Sequence, residues 1–111
     1  MKIVYIAHPI GGDVKNNIAK VLAIVKDINL THPDVVPFAP YIVDCLALDD
    51  SIPEQRKRGM SNNEHFISNR FIDEIWLFGD KISGGMQAEI ELAYQFSIPV
   101  YSKSKGTALW K

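Results

Sequence analysis

The stretch Glu74-Ile75-Trp76-Leu77-Phe78-Gly79 is apolar at consecutive positions rather than at alternate ones. That is the pattern of a strand buried on both faces, as in the parallel sheets of α/β proteins. Gly79 and Asp80 bound it, and Ile82-Ser83-Gly84-Gly85 leads into a helical pattern over 84–97 with Met86, Ile90, Ala93 and Ser97 on one face. A short strand, Pro99-Val100-Tyr101, follows. Strand, glycine loop and helix therefore meet at one point, and in open α/β sheets ligands bind there, at the carboxyl ends of the strands.

The N-terminal half repeats the arrangement. Lys2 to Ala7 reads as a central parallel strand and ends in His8-Pro9-Ile10-Gly11-Gly12-Asp13. Pro9 removes an amide donor, while Gly11 and Gly12 let the backbone turn and approach a ligand closely, so His8, Ile10, Gly11 and Gly12 are candidate binding residues. Asp13 is placed to cap a helix whose apolar face is Val14, Ile18, Val21, Leu22, Val25 and Ile28. A turn over 29–34 then leads to a second strand, Val35 to Phe38, completing a right-handed βαβ unit. The first loop lacks G-x-G-x-x-G, the second strand ends in Phe38-Ala39-Pro40 with no acidic residue, and G-K-[ST] is absent. Rossmann-type NAD binding and a P-loop are thereby disfavoured.

Residues 39–53 are the least regular segment, a functional loop or an oligomer contact, with Asp44, Asp49 and Asp50 read as solvated or capping. Glu54 to Ile72 is predicted helical, with Met60, Ile67, Phe71 and Phe66 inward. Gly59 and Ser61-Asn62-Asn63 are candidate interruptions, since Ser61 and Glu64 match a capping box. Thr107 to Trp110 is a candidate edge strand or dimer contact.

A chain of 111 residues is one domain, 1–111, and its 47% hydrophobic and 23% charged residues suit a globular protein. A net charge of -1 with no basic stripe argues against a nucleic-acid polymer as partner. No apolar run is long enough to span a bilayer, and no signal-peptide pattern precedes the first strand. One cysteine, Cys45, precludes an internal disulfide and fits a reducing cytoplasm. His8, His32 and His65 are scattered with no second ligand at helical spacing, so no metal is expected, and no cofactor.

Glu89 lies at the edge of the apolar stripe of its helix, whereas Gln87, Glu91 and Gln95 face away. A carboxylate there meets the sheet partly desolvated; desolvation raises its pKa and the helix N-terminus lowers it, a balance suited to an ionised nucleophile. The competing reading is an ordinary glutamate in the first turns of a helix. Ser83, Gly84 and Gly85 offer amides and a hydroxyl to an anion, as helix N-termini do generically. Tyr5 is a core aromatic unless its hydroxyl reaches the same pocket.

Tyr5-Ile6-Ala7 with Gly11-Gly12, then Ser83-x-Gly85-x-x-x-Glu89-x-x-x-Ala93 and Ile98-Pro99-Val100, resembles the nucleoside 2-deoxyribosyltransferase superfamily. Within it the pattern is similar to the 2'-deoxynucleoside 5'-phosphate N-hydrolases and to uncharacterised, often phage-encoded, relatives. The resemblance implies a flavodoxin-like (Rossmann-like) doubly wound α/β sheet of three layers, mostly parallel with 4-5 strands, and active sites completed across a dimer. It implies that Glu89 attacks C1' of a deoxyribose, that Tyr5 positions it, and that Ser83 and Gly85, with their neighbours Gly84 and Met86, bind substrate. The family's second carboxylate falls near residue 65, where this chain has Glu64-His65. Pro9 stands where the hydrolases carry a phosphate-binding serine, and the first loop is one residue shorter.

The leading expectation is an enzyme that cleaves or transfers the N-glycosidic bond of a 2'-deoxynucleoside or its 5'-monophosphate, acting on a small molecule as a homo-oligomer. The alternative is a non-catalytic nucleotide-binding or sequestering protein of the same fold, and a third is an interaction domain with an empty pocket.

Overall fold

The computed structural model describes residues 1–108. Its elements run β1 (Lys2–Ala7), α1 (Val14–Thr31), β2 (Val35–Phe38), α2 (Tyr41–Ala47), α3 (Pro53–Ser68), β3 (Glu74–Leu77), α4 (Gly84–Gln95) and β4 (Val100–Ser102), with a 3₁₀ turn at Lys105–Thr107. The strands form one all-parallel sheet of 4 in the order β2-β1-β3-β4. The register pairs Tyr5 with Phe38 on one side and Ile75 on the other.

Strand alternation divides the core. Tyr5, Ala7, Ile75 and Leu77 face Ile67 of α3 and Met86, Ile90 and Ala93 of α4. Val4, Ile6 and Trp76 face the opposite way, with Ile28 of α1. Ile18 and Val21, nearer the start of α1, join the larger cluster. The chain moves one way from β1 to β2 and the other way from β2 to β3 and β4. Right-handed crossovers of opposite sense put helices on opposite faces. The result is a flavodoxin-like three-layer α/β fold, and the carboxyl ends of β1 and β3 form its switch point.

Several local expectations change. Residues 39–53 are not irregular throughout: Pro40, already in helical conformation, starts α2, which buries Tyr41 and Ile42. The helix is only 7 residues long, too short for periodicity to disclose. Neither Gly59 nor Ser61-Asn62-Asn63 breaks α3, because Pro53 at its start fixes the first turn and the polar residues Ser61 and Glu64 face solvent. Met60 and Phe71 are 51% and 54% exposed rather than inward; α3 stops at Ser68, and Arg70 at φ 58 turns the chain before Phe71. Ser97 likewise falls beyond α4, at φ 56. Val14 and Leu22 are exposed, so the buried stripe of α1 is narrower than its apolar pattern. Asp13 is the residue before α1 but makes no capping bond; its carboxylate accepts instead from Asn16 Nδ2 at 2.7 Å. At the C-terminus Thr107 is buried in a 3₁₀ turn rather than an edge strand, and Trp110 lies outside the described residues. No helix among the described residues is long and apolar enough to cross a membrane.

Candidate functional site

A cleft of about 500 Å³ opens between the carboxyl ends of β1 and β3, the start of α4 and the facing sides of α2 and α3. Glu89 lies in its wall. The second turn of α4 carries this carboxylate on the side that packs toward the sheet, between buried Met86 and Ala93, so the group is partly buried with its remaining exposure to the cleft. Tyr5, mid-strand and fully buried, donates its hydroxyl hydrogen to Glu89 Oε2. Tyr5 is a core aromatic that does not itself line the cleft; its hydroxyl meets the wall only through Glu89.

Burial pushes the Glu89 carboxyl up to about 7, and the hydrogen bond from Tyr5 only partly opposes this. The Tyr5 phenol is raised well above its ordinary value, first by burial and then by the Glu89 charge, so it remains a neutral donor. Tyr41 packs its ring 5.7 Å from that of Tyr5 and donates its hydroxyl hydrogen to the Ile6 carbonyl, which holds the floor rigid. A carboxyl near 7 and held in one orientation changes charge near neutrality, as a nucleophile or a general base requires.

Ser83 caps α4: its Oγ accepts from the Met86 amide at 3.2 Å, leaving its own hydrogen for a ligand. The amides of Gly84 and Gly85, next in the first turn, have no partner among the described residues. A Cβ at Gly84 would touch nothing, and one at Gly85 only Ser83 Oγ at 4.0 Å, so packing does not demand glycine at either position. Both stand at the cleft, where a side chain would obstruct a ligand approaching those amides.

His8, Ile10 and Gly11 line the opposite rim, and Met86 its base; Gly12, at φ 91, shapes the loop without lining the cleft. His8 Nδ1 lies 2.6 Å from the Pro9 carbonyl, which can only accept, so Nδ1 carries the hydrogen. Glu64 and His65 are not brought to the cleft. Both are exposed on the outer side of α3, and His65 contacts Asn69 and Phe71 instead. The side of α3 that does face the cleft presents Gln55, Arg56, Gly59, Met60 and Asn63, and Asn63 Oδ1 is buried with no hydrogen-bond partner. An amide, not a carboxylate, occupies the inward position next to Glu64.

Across from Glu89, α2 contributes Tyr41, Asp44 and Cys45, with Leu48 and Asp50 just beyond it. Asn62 Nδ2 donates to Asp44 Oδ2 at 3.3 Å. These residues were missed as site residues, although their spacing of three and four is helical once a helix is drawn at 41. Asp49 caps no helix: its carboxylate accepts from Ser51 N at 2.9 Å and Ser51 Oγ at 2.6 Å within the loop before α3, whose N-cap, Ile52, has no side-chain capping bond. The Cys45 thiol is half-buried and pushed up by burial, consistent with a packing role. Among the described residues no group of His, Cys, Asp and Glu side chains is placed to hold a metal ion.

Fold and site together define a small doubly wound α/β domain with a carboxylate–phenol pair in a ligand-sized cleft. The chain belongs to the family described as Domain of unknown function (DUF7768), whose model matches residues 2–103. No curated protein and no solved structure matches it.

Proposed function

We propose that the protein cleaves or transfers the N-glycosidic bond of a 2'-deoxynucleoside or its 5'-monophosphate, with Glu89 as nucleophile. The observation that carries this reading is the Tyr5–Glu89 hydrogen bond at the wall of the cleft. Ionised Glu89 attacks C1', the bond to the base nitrogen breaks with its electron pair leaving on the base, and a glycosyl ester forms. Water then hydrolyses the ester, or a second base displaces it. An oxocarbenium-like transition state gains from a carboxylate in a desolvated cleft more than the neutral substrate does. Asp44 and Asp50, the other carboxylates lining the cleft, are the candidates to assist the departing base. The α4 amides of Gly84 and Gly85 suit a 5'-phosphate. We read the protein as a cytoplasmic homo-oligomer without a cofactor, on the strength of the family resemblance and its single free cysteine.

A second reading, a nucleotide-binding protein without turnover, is favoured by Asn63, the uncharged residue on the inner side of α3. One experiment separates the two. Purified protein is incubated with deoxy- and ribonucleosides and their monophosphates, with and without an acceptor base, and free base is measured by chromatography. Base release absent from Glu89→Gln supports the enzyme, and acceptor dependence identifies a transferase. A thermal shift with one nucleotide and no release supports the binder; release that persists in Glu89→Gln refutes the nucleophile.

A further inference from the structure

On the other side of His8 lies a second cleft, of about 540 Å³, that the reaction proposed above does not use. Its wall is assembled from separate pieces of chain: His8 after β1, Asn17 and Lys20 of α1, Gly79 and Asp80 after β3, and Ser104 to Gly106 after β4. No leucine, isoleucine, valine, methionine, phenylalanine, tyrosine or tryptophan lines it, whereas the first cleft holds Ile10, Leu48, Met60 and Met86. With no large aliphatic side chain to anchor a ligand, recognition there rests more on charge and hydrogen bonds than it does in the first cleft.

Lys20 and Lys105 enter from different elements. Neither forms an ion pair among the described residues, where the ion pair present is Lys2–Glu74 at 2.9 Å. Asp80 is the single carboxylate at the wall, so the two lysines leave the cleft net positive in a chain whose overall charge is -1. The loops that carry these groups are interlocked. The Gly79 amide donates to Ser104 Oγ at 3.2 Å. Gly79 sits at φ +105 and its Cβ would lie 2.6 Å from Pro9 Cδ; a Cβ at Gly106 would lie 2.2 Å from the Asp80 carbonyl carbon. Glycine at both positions lets the loops after β1, β3 and β4 close on one another, which fixes Lys105 and Ser104 opposite α1. Asn17 Nδ2 donates to the carbonyls of Ile10 at 3.0 Å and Gly11 at 3.5 Å, whereas Ser104 Oγ accepts from Gly79 and retains its own hydrogen for a ligand.

We propose that this cleft binds a small phosphate-bearing anion, either inorganic phosphate or the phosphate chain of a nucleotide, held between Lys20 and Lys105. Two ammonium groups from separate walls act as point charges for a multiply charged anion. The site stands independently of Glu89, with which it shares only the neighbouring His8.

The test is an NMR titration of 15N-labelled protein with sodium phosphate, and separately with a nucleoside triphosphate, at constant ionic strength with chloride as the control anion. Saturable shifts at the amides of Lys20, Ser104, Lys105 and Gly106, absent with chloride, are expected. The Lys20→Gln/Lys105→Gln variant, with the same spectral dispersion, should bind about tenfold more weakly or worse. Glu89→Gln should bind as the parent does, which separates this proposal from the catalytic one. Tighter binding of the triphosphate identifies the nucleotide chain as the ligand, and equal binding identifies free phosphate. Non-saturating shifts, shifts confined to Gly84 and Gly85, or undiminished binding by the lysine variant would overturn it.

Discussion

Replacing Glu89 by glutamine should stabilise the protein increasingly as pH rises from about 4.5, with the full gain above neutrality. The Glu89 carboxyl titrates at about 7 against an ordinary value of 4.5, because burial penalises its charge. The folded chain therefore holds this proton more tightly than the unfolded chain does. Below the unfolded value the side chain is protonated in both states and costs nothing. As pH rises toward 7 the unfolded chain ionises first, and stability falls; above 7 the full penalty applies. At about 1.4 kcal/mol per pH unit of separation, the interval from 4.5 to about 7 amounts to about 3 kcal/mol. Glutamine has the same shape, carries no charge at any pH and still accepts the Tyr5 hydrogen. Urea unfolding followed by the fluorescence of buried Trp76 should give nearly equal free energies for parent and variant near pH 4. Above neutrality the variant should gain about 3 kcal/mol, a rise in Tm on the order of 10 °C for a domain of this size. Titrations elsewhere cancel in the difference. A gain that does not change with pH, or a variant less stable than the parent above neutrality, would refute a desolvated carboxyl at this position.

Three further outcomes follow from the same geometry. Tyr5→Phe removes the hydrogen bond that lowers the Glu89 pKa, so the rising acidic limb of kcat/KM for base release should move to higher pH; an unmoved limb means the bond does not hold the charged form. Gly84→Ala adds a Cβ that touches nothing in a first helical turn, so thermal unfolding should show stability unchanged or raised by up to about 1 kcal/mol. Affinity for a deoxynucleoside monophosphate, read by calorimetry, should fall in that variant; unchanged affinity would remove the α4 amides from the site. Gly106→Ala forces a Cβ to 2.2 Å from the Asp80 carbonyl carbon, and a loss of about 1–3 kcal/mol is expected from the urea midpoint, an unchanged midpoint being the contrary result.

The strands and long helices follow from local pattern. A β-branched run at 2–7 and an apolar run at 74–77 have few alternatives to central strands, and the spacing of Ile18, Val21 and Ile28 describes a helix face whatever lies against it. Glu89 could be singled out because helical geometry alone places it at the margin of an apolar stripe, and Ser83 because an N-cap serine is a local device. Other features depended on residues far apart in the chain. Tyr5 and Glu89 are separated by 84 positions, and nothing in either neighbourhood encodes that one hydroxyl meets the other carboxylate. Which side of α3 faces the cleft was likewise undecided locally: its polar sequence carries a weak stripe, so Asn63 rather than Glu64 or His65 turns inward only because Ile67 packs under the sheet. Glycine at 106 looks like any loop glycine until Asp80 is brought against it. Sequence alone determined what local periodicity and capping impose; the tertiary structure decided which carboxyl lost its water, because desolvation is a property of everything packed around a group rather than of the group's place in the chain.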